Sequence, residues 1–212
     1  NRAAALLSAR HVSPLGPNEL QLPAIISPGG AVVHFVHAGS TLDADFVAPV
    51  PRAQVPAQCG LTHVDHMALA LANDQLDTWT LFAQSILGLS AGESLELADP
   101  FGLVRSCALS NAQRSLRMVL NVSKSQRTRT AQQVRATGRS GGGVHHIALA
   151  TQDIFATVQT LQAQGVKWLP ISPNYYEDLL ARLGMDEDLV RRMQALNIVA
   201  DVSPGGGRFL HA

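Results

Sequence analysis

At 212 residues, with 46 % apolar and only 15 % charged side chains, the chain can bury a substantial core, which excludes a disordered segment. Sixteen basic and sixteen acidic residues cancel, and without a net positive field nucleic acid is not an expected partner. In chain order, Asn1–Arg10 reads as the end of a helix with no start signal, and Gly16-Pro17 as a loop. Glu19–Ile26 and Ala31–His37 are strand-like runs around Pro28-Gly29-Gly30, a hairpin pattern. Residues 39–60 contain Pro49, Pro51 and Pro56 with little periodicity and read as a linker.

An internal repeat follows. Val64-Asp65-His66-Met67-Ala68-Leu69-Ala70 matches Val144-His145-His146-Ile147-Ala148-Leu149-Ala150 at five of seven positions. Each run leads to an acidic helix cap, Asp74 or Asp153, and then to apolar residues at helical spacing. The first stripe is Leu76, Trp79 or Thr80, Ala83 and Leu87; the second is Ile154, Val158 and Leu161, stopped by Gly165. Between the helices lie strand patterns at Ser94–Leu97, Leu103–Leu109 and Leu116–Val122. The order from residue 62 is therefore βαβββ, and from residue 144 it begins βα again. Asn174–Gly184 and Asp186–Ala195 add helical pieces before a strand-like Arg208–Ala212.

Cys59 and Cys107 stand far apart outside any CxxC arrangement, which excludes a disulfide scaffold or zinc ribbon and fits a reducing, cytoplasmic setting. The apolar run Met67–Ala72 is too short to cross a bilayer, and the first residues lack the regions of a signal peptide, so no membrane partner is expected. From Pro100 to Gln152 there is no Asp or Glu, yet Arg105, Arg114, Arg117, Lys124, Arg127, Arg129, Arg135 and Arg139 fall there. Such a run is either a solvated face whose acidic partners come from elsewhere in the fold, or a field that draws in an anionic carboxylate.

Strand alternation puts Val64, His66, Ala68 and Ala70 on one face and Met67, Leu69 and Leu71 on the other. The large aliphatics are expected under the helices, leaving His66 on a face of small residues; Val144, His146, Ala148 and Ala150 repeat the pattern. One histidine in such a place is more often a hydrogen-bonded core residue than a ligand. Two at equivalent positions of a repeat favour a shared metal site, with both imidazoles facing one cavity. By the same alternation His63 and His145 face away, while His11, His34 and His37 have no counterpart in the repeat; all five are expected to be structural or surface residues. Two imidazoles and one carboxylate make the facial triad that leaves positions open for a 2-oxo acid and dioxygen. The histidines are 80 positions apart, no acid inside the chain occupies the matching strand position, and a third ligand at that interval is expected beyond Ala212.

These residues resemble a known family. Val144–Ala150 followed by Thr151-Gln152-Asp153-Ile154 resembles the second-histidine signature of the 4-hydroxyphenylpyruvate dioxygenases, in the vicinal oxygen chelate superfamily, and Val64-Asp65-His66 resembles the first-histidine strand. Gly102–Ser106 and Leu120-Asn121 resemble strands whose Ser and Asn line the substrate pocket. Where the dioxygenases usually carry Pro-Leu-Asn-Glu-Pro, this chain reads Val119-Leu120-Asn121-Val122-Ser123. Lys124–Thr130, Ser140–His146 and Gly16–Leu20 with Pro23-Ala24-Ile25 are closer to bacterial two-domain 3-dehydroshikimate dehydratases, whose C-terminal half is dioxygenase-like.

The resemblance implies an α+β fold of repeated βαβββ modules: 1–38 as the remnant of a preceding module, 39–60 as linker, and 61–212 as a dioxygenase-like domain with modules 61–130 and 141–212, the last truncated. It implies His66 and His146 as metal ligands completed by a later Glu, with iron(II) or magnesium(II) bound. Ser106, Asn121, Gln132 and His211 are implied as pocket lining, His211 standing where a Gln is usual. It also implies a small anionic aromatic or 2-oxo-acid ligand, an N-terminal TIM barrel that dehydrates 3-dehydroshikimate to protocatechuate, and a possible homo-oligomer. A genuine 4-hydroxyphenylpyruvate dioxygenase of tyrosine catabolism, or an inert assembly or regulatory module, are the alternative implications.

Overall fold

The computed structural model describes residues 22–37, 39, 58–138, 142–202 and 206–212. The expected helix end at Asn1–Arg10, the Gly16-Pro17 loop, His11 and most of the 39–60 linker lie outside the described residues. The described residues divide into two units, one taking those up to Gln54 and those of Val64–Ala148, the other those of Val55–His63 and Leu149–Ala212.

The first unit opens with a hairpin, β1 (Ala24–Ile26) and β2 (Val32–His34), antiparallel around Gly30, whose φ of 77° suits only glycine well. Then come β3 (Leu61–Ala70), α1 (Leu76–Ser85), β4 (Ser90–Asp99), β5 (Gly102–Ser110) and β6 (Arg117–Val122), a complete βαβββ module. The sheet order is β4-β5-β6-β3-β7, with β7 at Gly143–Thr151. The meander β4-β5-β6 is antiparallel, and the helical crossover brings β6 back parallel to β3.

Register explains which side chains share a face. Leu69 pairs with Leu120 and Leu120 with Cys107, so these three form a row on one face; Ala70, Asn121, Ser106 and Leu95 form the next row, on the other face. The first row belongs to the core with Leu71, Leu109, Met118 and Val122, closed by Leu76, Trp79, Phe82 and Ala83 of α1 and by Ile25 of the hairpin. Leu120 is fully buried, and truncation of such a residue to Ala typically costs about 2–5 kcal/mol.

Several expectations need correction. Asp74 does not cap α1: the N-cap is Gln75, without a side-chain hydrogen bond, because the chain turns at Asn73–Asp74 before the helix begins. The second copy of the repeat does not bury its aliphatics as the first does. Ile147 and Leu149 are 57 % and 52 % exposed, because β7 ends the sheet and no helix among the described residues covers them as α1 covers Leu69 and Leu71. An unexpected helix, α2 (Arg129–Thr137), begins where Thr128 accepts a hydrogen bond from the Ala131 amide and ends at Gly138 in the left-handed region.

In the second unit, α3 (Ile154–Ala163), α4 (Pro173–Leu183) and α5 (Glu187–Ala195) surround a core of Val158, Tyr176, Leu179, Val190, Met193 and Ile198. Asp153 does cap its helix, accepting from the Ala156 amide at 3.0 Å, and Asp186 accepts from Leu189 at 2.9 Å. A hairpin, β8 (Val199–Val202) and β9 (Arg208–His211), is tied to α4 by the Tyr175 hydroxyl, which bonds both the amide and the carbonyl of Ala200. No helix among the described residues is long and apolar enough to cross a membrane.

Candidate metal centre

β3 and β7 lie side by side, and the chain enters β7 tightly against β3. A Cβ at Gly142 would overlap the Ala70 carbonyl oxygen, and its φ is 75°, so this approach requires glycine. At the other end of the strands Thr62 Oγ1 donates to the Ala150 carbonyl at 3.1 Å, and Thr151 Oγ1 to that of Gly60 at 3.0 Å. The strands therefore run in opposite directions, and their middles bring the two repeat histidines together.

The ring centroids of His66 and His146 are 5.5 Å apart with the planes at 77°. Both rings are turned by the residue just before them. His66 Nδ1 is 2.8 Å from Asp65 Oδ2, and Asp65 Oδ1 accepts from Arg117 Nη2 of β6, whose Nε also donates to the Asp65 carbonyl at 3.2 Å. His146 Nδ1 is 3.1 Å from His145 Nδ1. His145 thus does not simply face away, as alternation predicts: its ring lies 5.2 Å from that of His146. Among the described residues the Nε2 of each ring carries no hydrogen bond, and each is free to act as a donor to a metal.

Burial pushes the pKa of both imidazoles below the ordinary histidine value; for His146 the neighbouring His145 and His66 push it down further, since a second positive charge so close is unfavourable. Both shifts favour the neutral ring, the form that ligation needs. Among the described residues no group of three or more His, Cys, Asp or Glu side chains is placed to hold a metal ion. The chain supplies a pair of imidazoles.

The other expected site residues fall in different places. Asn121, 8 % exposed, and Ser106 pair with each other on the face of the sheet that carries Ala70, the strand parity of His66. Gln132 is an exposed residue of α2, and its side-chain amide donates to the Arg127 carbonyl at 3.0 Å. His211 is an exposed residue of β9 in the second unit, its ring 5.9 Å from that of Phe209. Four side chains of the basic run have partners among the described residues: Arg117 with Asp65, Arg105 with Ser94 Oγ at 2.9 Å, Arg135 with Gln126, and Arg127 over the Phe101 ring at 5.0 Å. Sequence reasoning missed Asp65 and Arg117. An acid beside a repeat histidine, and an arginine beginning the strand that returns to it, were the available signals.

The family model for the glyoxalase/bleomycin resistance protein/dioxygenase superfamily matches residues 62–188. A 3-dehydroshikimate dehydratase of Pseudomonas putida is 38 % identical over 201 residues, 93 % of this chain and 31 % of that protein; the one from Pseudomonas aeruginosa is 37 % identical over the same shares. A 4-hydroxyphenylpyruvate dioxygenase of Pseudomonas aeruginosa is 27 % identical over 88 % of this chain and 53 % of its own length. The chain thus spans about a third of the length of the dehydratases it matches. Among solved structures, a xylose isomerase-like TIM barrel/4-hydroxyphenylpyruvate dioxygenase fusion protein superposes with a TM-score of 0.75 at 33 % identity, covering 99 % of this chain and 33 % of that one. A 4-hydroxymandelate synthase variant from Streptomyces coelicolor shares the fold, with a TM-score of 0.74 at 20 % identity over 99 % of this chain and 60 % of that one. With its βαβββ module and its repeat-related histidines, the chain belongs to the glyoxalase/bleomycin resistance protein/dioxygenase superfamily.

Proposed function

We propose that this chain is the 4-hydroxyphenylpyruvate dioxygenase-like, metal-binding part of a 3-dehydroshikimate dehydratase of aromatic catabolism. The observation that carries the reading is the identity of 38 % and 37 % with two such dehydratases over 93 % of the chain, against 27 % with the dioxygenase over 88 %. The dehydration of 3-dehydroshikimate to protocatechuate belongs, on this reading, to a TIM-barrel domain of the same cytoplasmic protein. The fusion of such a barrel to a dioxygenase-like part in a related structure supports that partner.

His66 and His146 are the residues of this chain that would hold a divalent metal through their Nε2 atoms. Iron(II) or magnesium(II) is the proposed ion, and a carboxylate is the proposed third ligand. When bound, the ion supplies a Lewis-acidic centre that can take a chelating, anionic oxygen ligand. The chain's own residues do the rest. Asp65 and His145 engage the Nδ1 atoms and would so leave both Nε2 atoms for the ion. For His146 this requires that Nδ1 carries the proton and donates to His145, whose own proton then sits on Nε2. Ser106 and Asn121, on the same face, offer a hydroxyl and an amide to an anionic aromatic or 2-oxo-acid ligand.

The test is a pair of assays on the full-length protein. Protocatechuate formation from 3-dehydroshikimate, with no oxygen uptake on 4-hydroxyphenylpyruvate, is the expected outcome. Oxygen uptake on 4-hydroxyphenylpyruvate without dehydration would overturn the reading in favour of a dioxygenase proper.

A further inference from the structure

We propose that Asp65, clamped by Arg117, is a positioning residue that keeps the His66 proton on Nδ1 and so presents a bare Nε2 to the metal. The inference rests on the metal reading given above and extends it to two residues outside the ligand pair. Three observations on the first unit carry it.

The first is chemical. A carboxylate can only accept, so the 2.8 Å contact between Asp65 Oδ2 and His66 Nδ1 requires the proton on Nδ1. A neutral imidazole in water prefers its proton on Nε2, which would block the nitrogen meant for a metal; the hydrogen bond made by one ring nitrogen decides the state of the other.

The second is mechanical. Asp65 is itself held twice by Arg117, once through the carboxylate and once through the backbone carbonyl at 3.2 Å. Asp65 and Arg117 are only 29 % exposed, and they sit on neighbouring parallel strands. The carboxylate is therefore fixed before any metal arrives, which spares the entropy of ordering the ring at the moment of binding.

The third is the repeat. Val64-Asp65-His66 and Val144-His145-His146 place a hydrogen-bonding partner at the same position before each histidine, and the two copies differ there in kind. An imidazole can accept or donate, whereas the carboxylate has one role. His66 is thus the ring whose protonation pattern is dictated, and His146 the one that adapts.

Nitrogen-15 NMR of the metal-free protein, at a pH where both imidazoles are neutral, reads the ring proton directly. The expected wild-type pattern has the proton on His66 Nδ1, and Asp65→Ala moves it to Nε2. Manganese(II) affinity of Asp65→Ala should fall about 10- to 100-fold, the usual effect of losing such a partner. A wild-type proton on Nε2, or an unchanged pattern in Asp65→Ala, would overturn the assignment and leave the pair as a strand-to-strand ion bridge. Should Asp65→Ala not fold, the wild-type ring decides alone. If the wild-type protein binds no manganese(II) at all, the metal reading falls, while the ring-nitrogen pattern still tests the positioning.

Discussion

The rings of His66 and His146 stand 5.5 Å apart, centroid to centroid, although 80 positions separate them in the chain. Each ring has a pKa below the ordinary histidine value, first because it is partly buried and, for His146, because two other imidazoles are near. Below about pH 6.5 the unfolded chain therefore binds more protons than the folded one, so stability declines as the pH falls through that value and stops declining once the folded rings are themselves protonated. Urea midpoints of the metal-free protein at about pH 7.5 and about pH 5.5 should show this loss, and His66→Gln combined with His146→Gln should flatten it. A double variant with the wild-type slope would place the proton uptake elsewhere.

Asn121 is expected to matter for a ligand rather than for the metal. It shares a face with Ser106 and pairs with Ala70, at the strand parity of His66, so replacing it by Ala removes one amide from that face of the sheet. The affinity for a 2-oxo acid such as 4-hydroxyphenylpyruvate should drop roughly 10-fold, the effect of one hydrogen bond, with manganese(II) affinity unchanged. Calorimetry with each ligand separates the two effects.

Gly142→Ala is expected to be among the most damaging single substitutions in the first unit. The new methyl group would collide with the Ala70 carbonyl and the backbone of Leu71, at a φ that disfavours any side chain. Overpacking and the left-handed backbone together should cost roughly 2–4 kcal/mol. Because the clash pushes β7 from β3, the loss of stability should come with a loss of metal binding. A thermal melt and a metal titration on the same sample check both.

Much of this arrangement was legible in the sequence, and the reasons are local. Val64–Ala70 and Val144–Ala150 alternate at period two and repeat, so the strands and the shared face of His66 and Ala70 could be read directly. Leu76, Trp79 and Ala83 recur at helical spacing, and the helix they define is present. What stayed hidden depended on tertiary contacts. Helix α2 has few apolar residues to mark a buried stripe; its only signals are the Thr128 cap and Gly138. The exposure of Ile147 and Leu149 follows from the lack, among the described residues, of a helix over that face of β7, which no pattern within β7 records. Asp65 and Arg117 are 52 positions apart, and only the parallel return of β6 beside β3 joins them. Gln132 is an exposed residue of α2, and the polar stretch around it carries no apolar period from which its place in the fold could be read.

The central claim is that His66 and His146 hold one divalent ion between them, and manganese(II) titration followed by electron paramagnetic resonance tests it most directly. Free manganese(II) gives a sharp signal that is lost on binding. The account predicts saturation at one ion per chain in the wild-type protein, and an affinity more than about 100-fold weaker in either His66→Ala or His146→Ala, since losing a ligand should exceed the cost of losing its hydrogen-bond partner. Binding that survives both substitutions together, at wild-type strength, would contradict it.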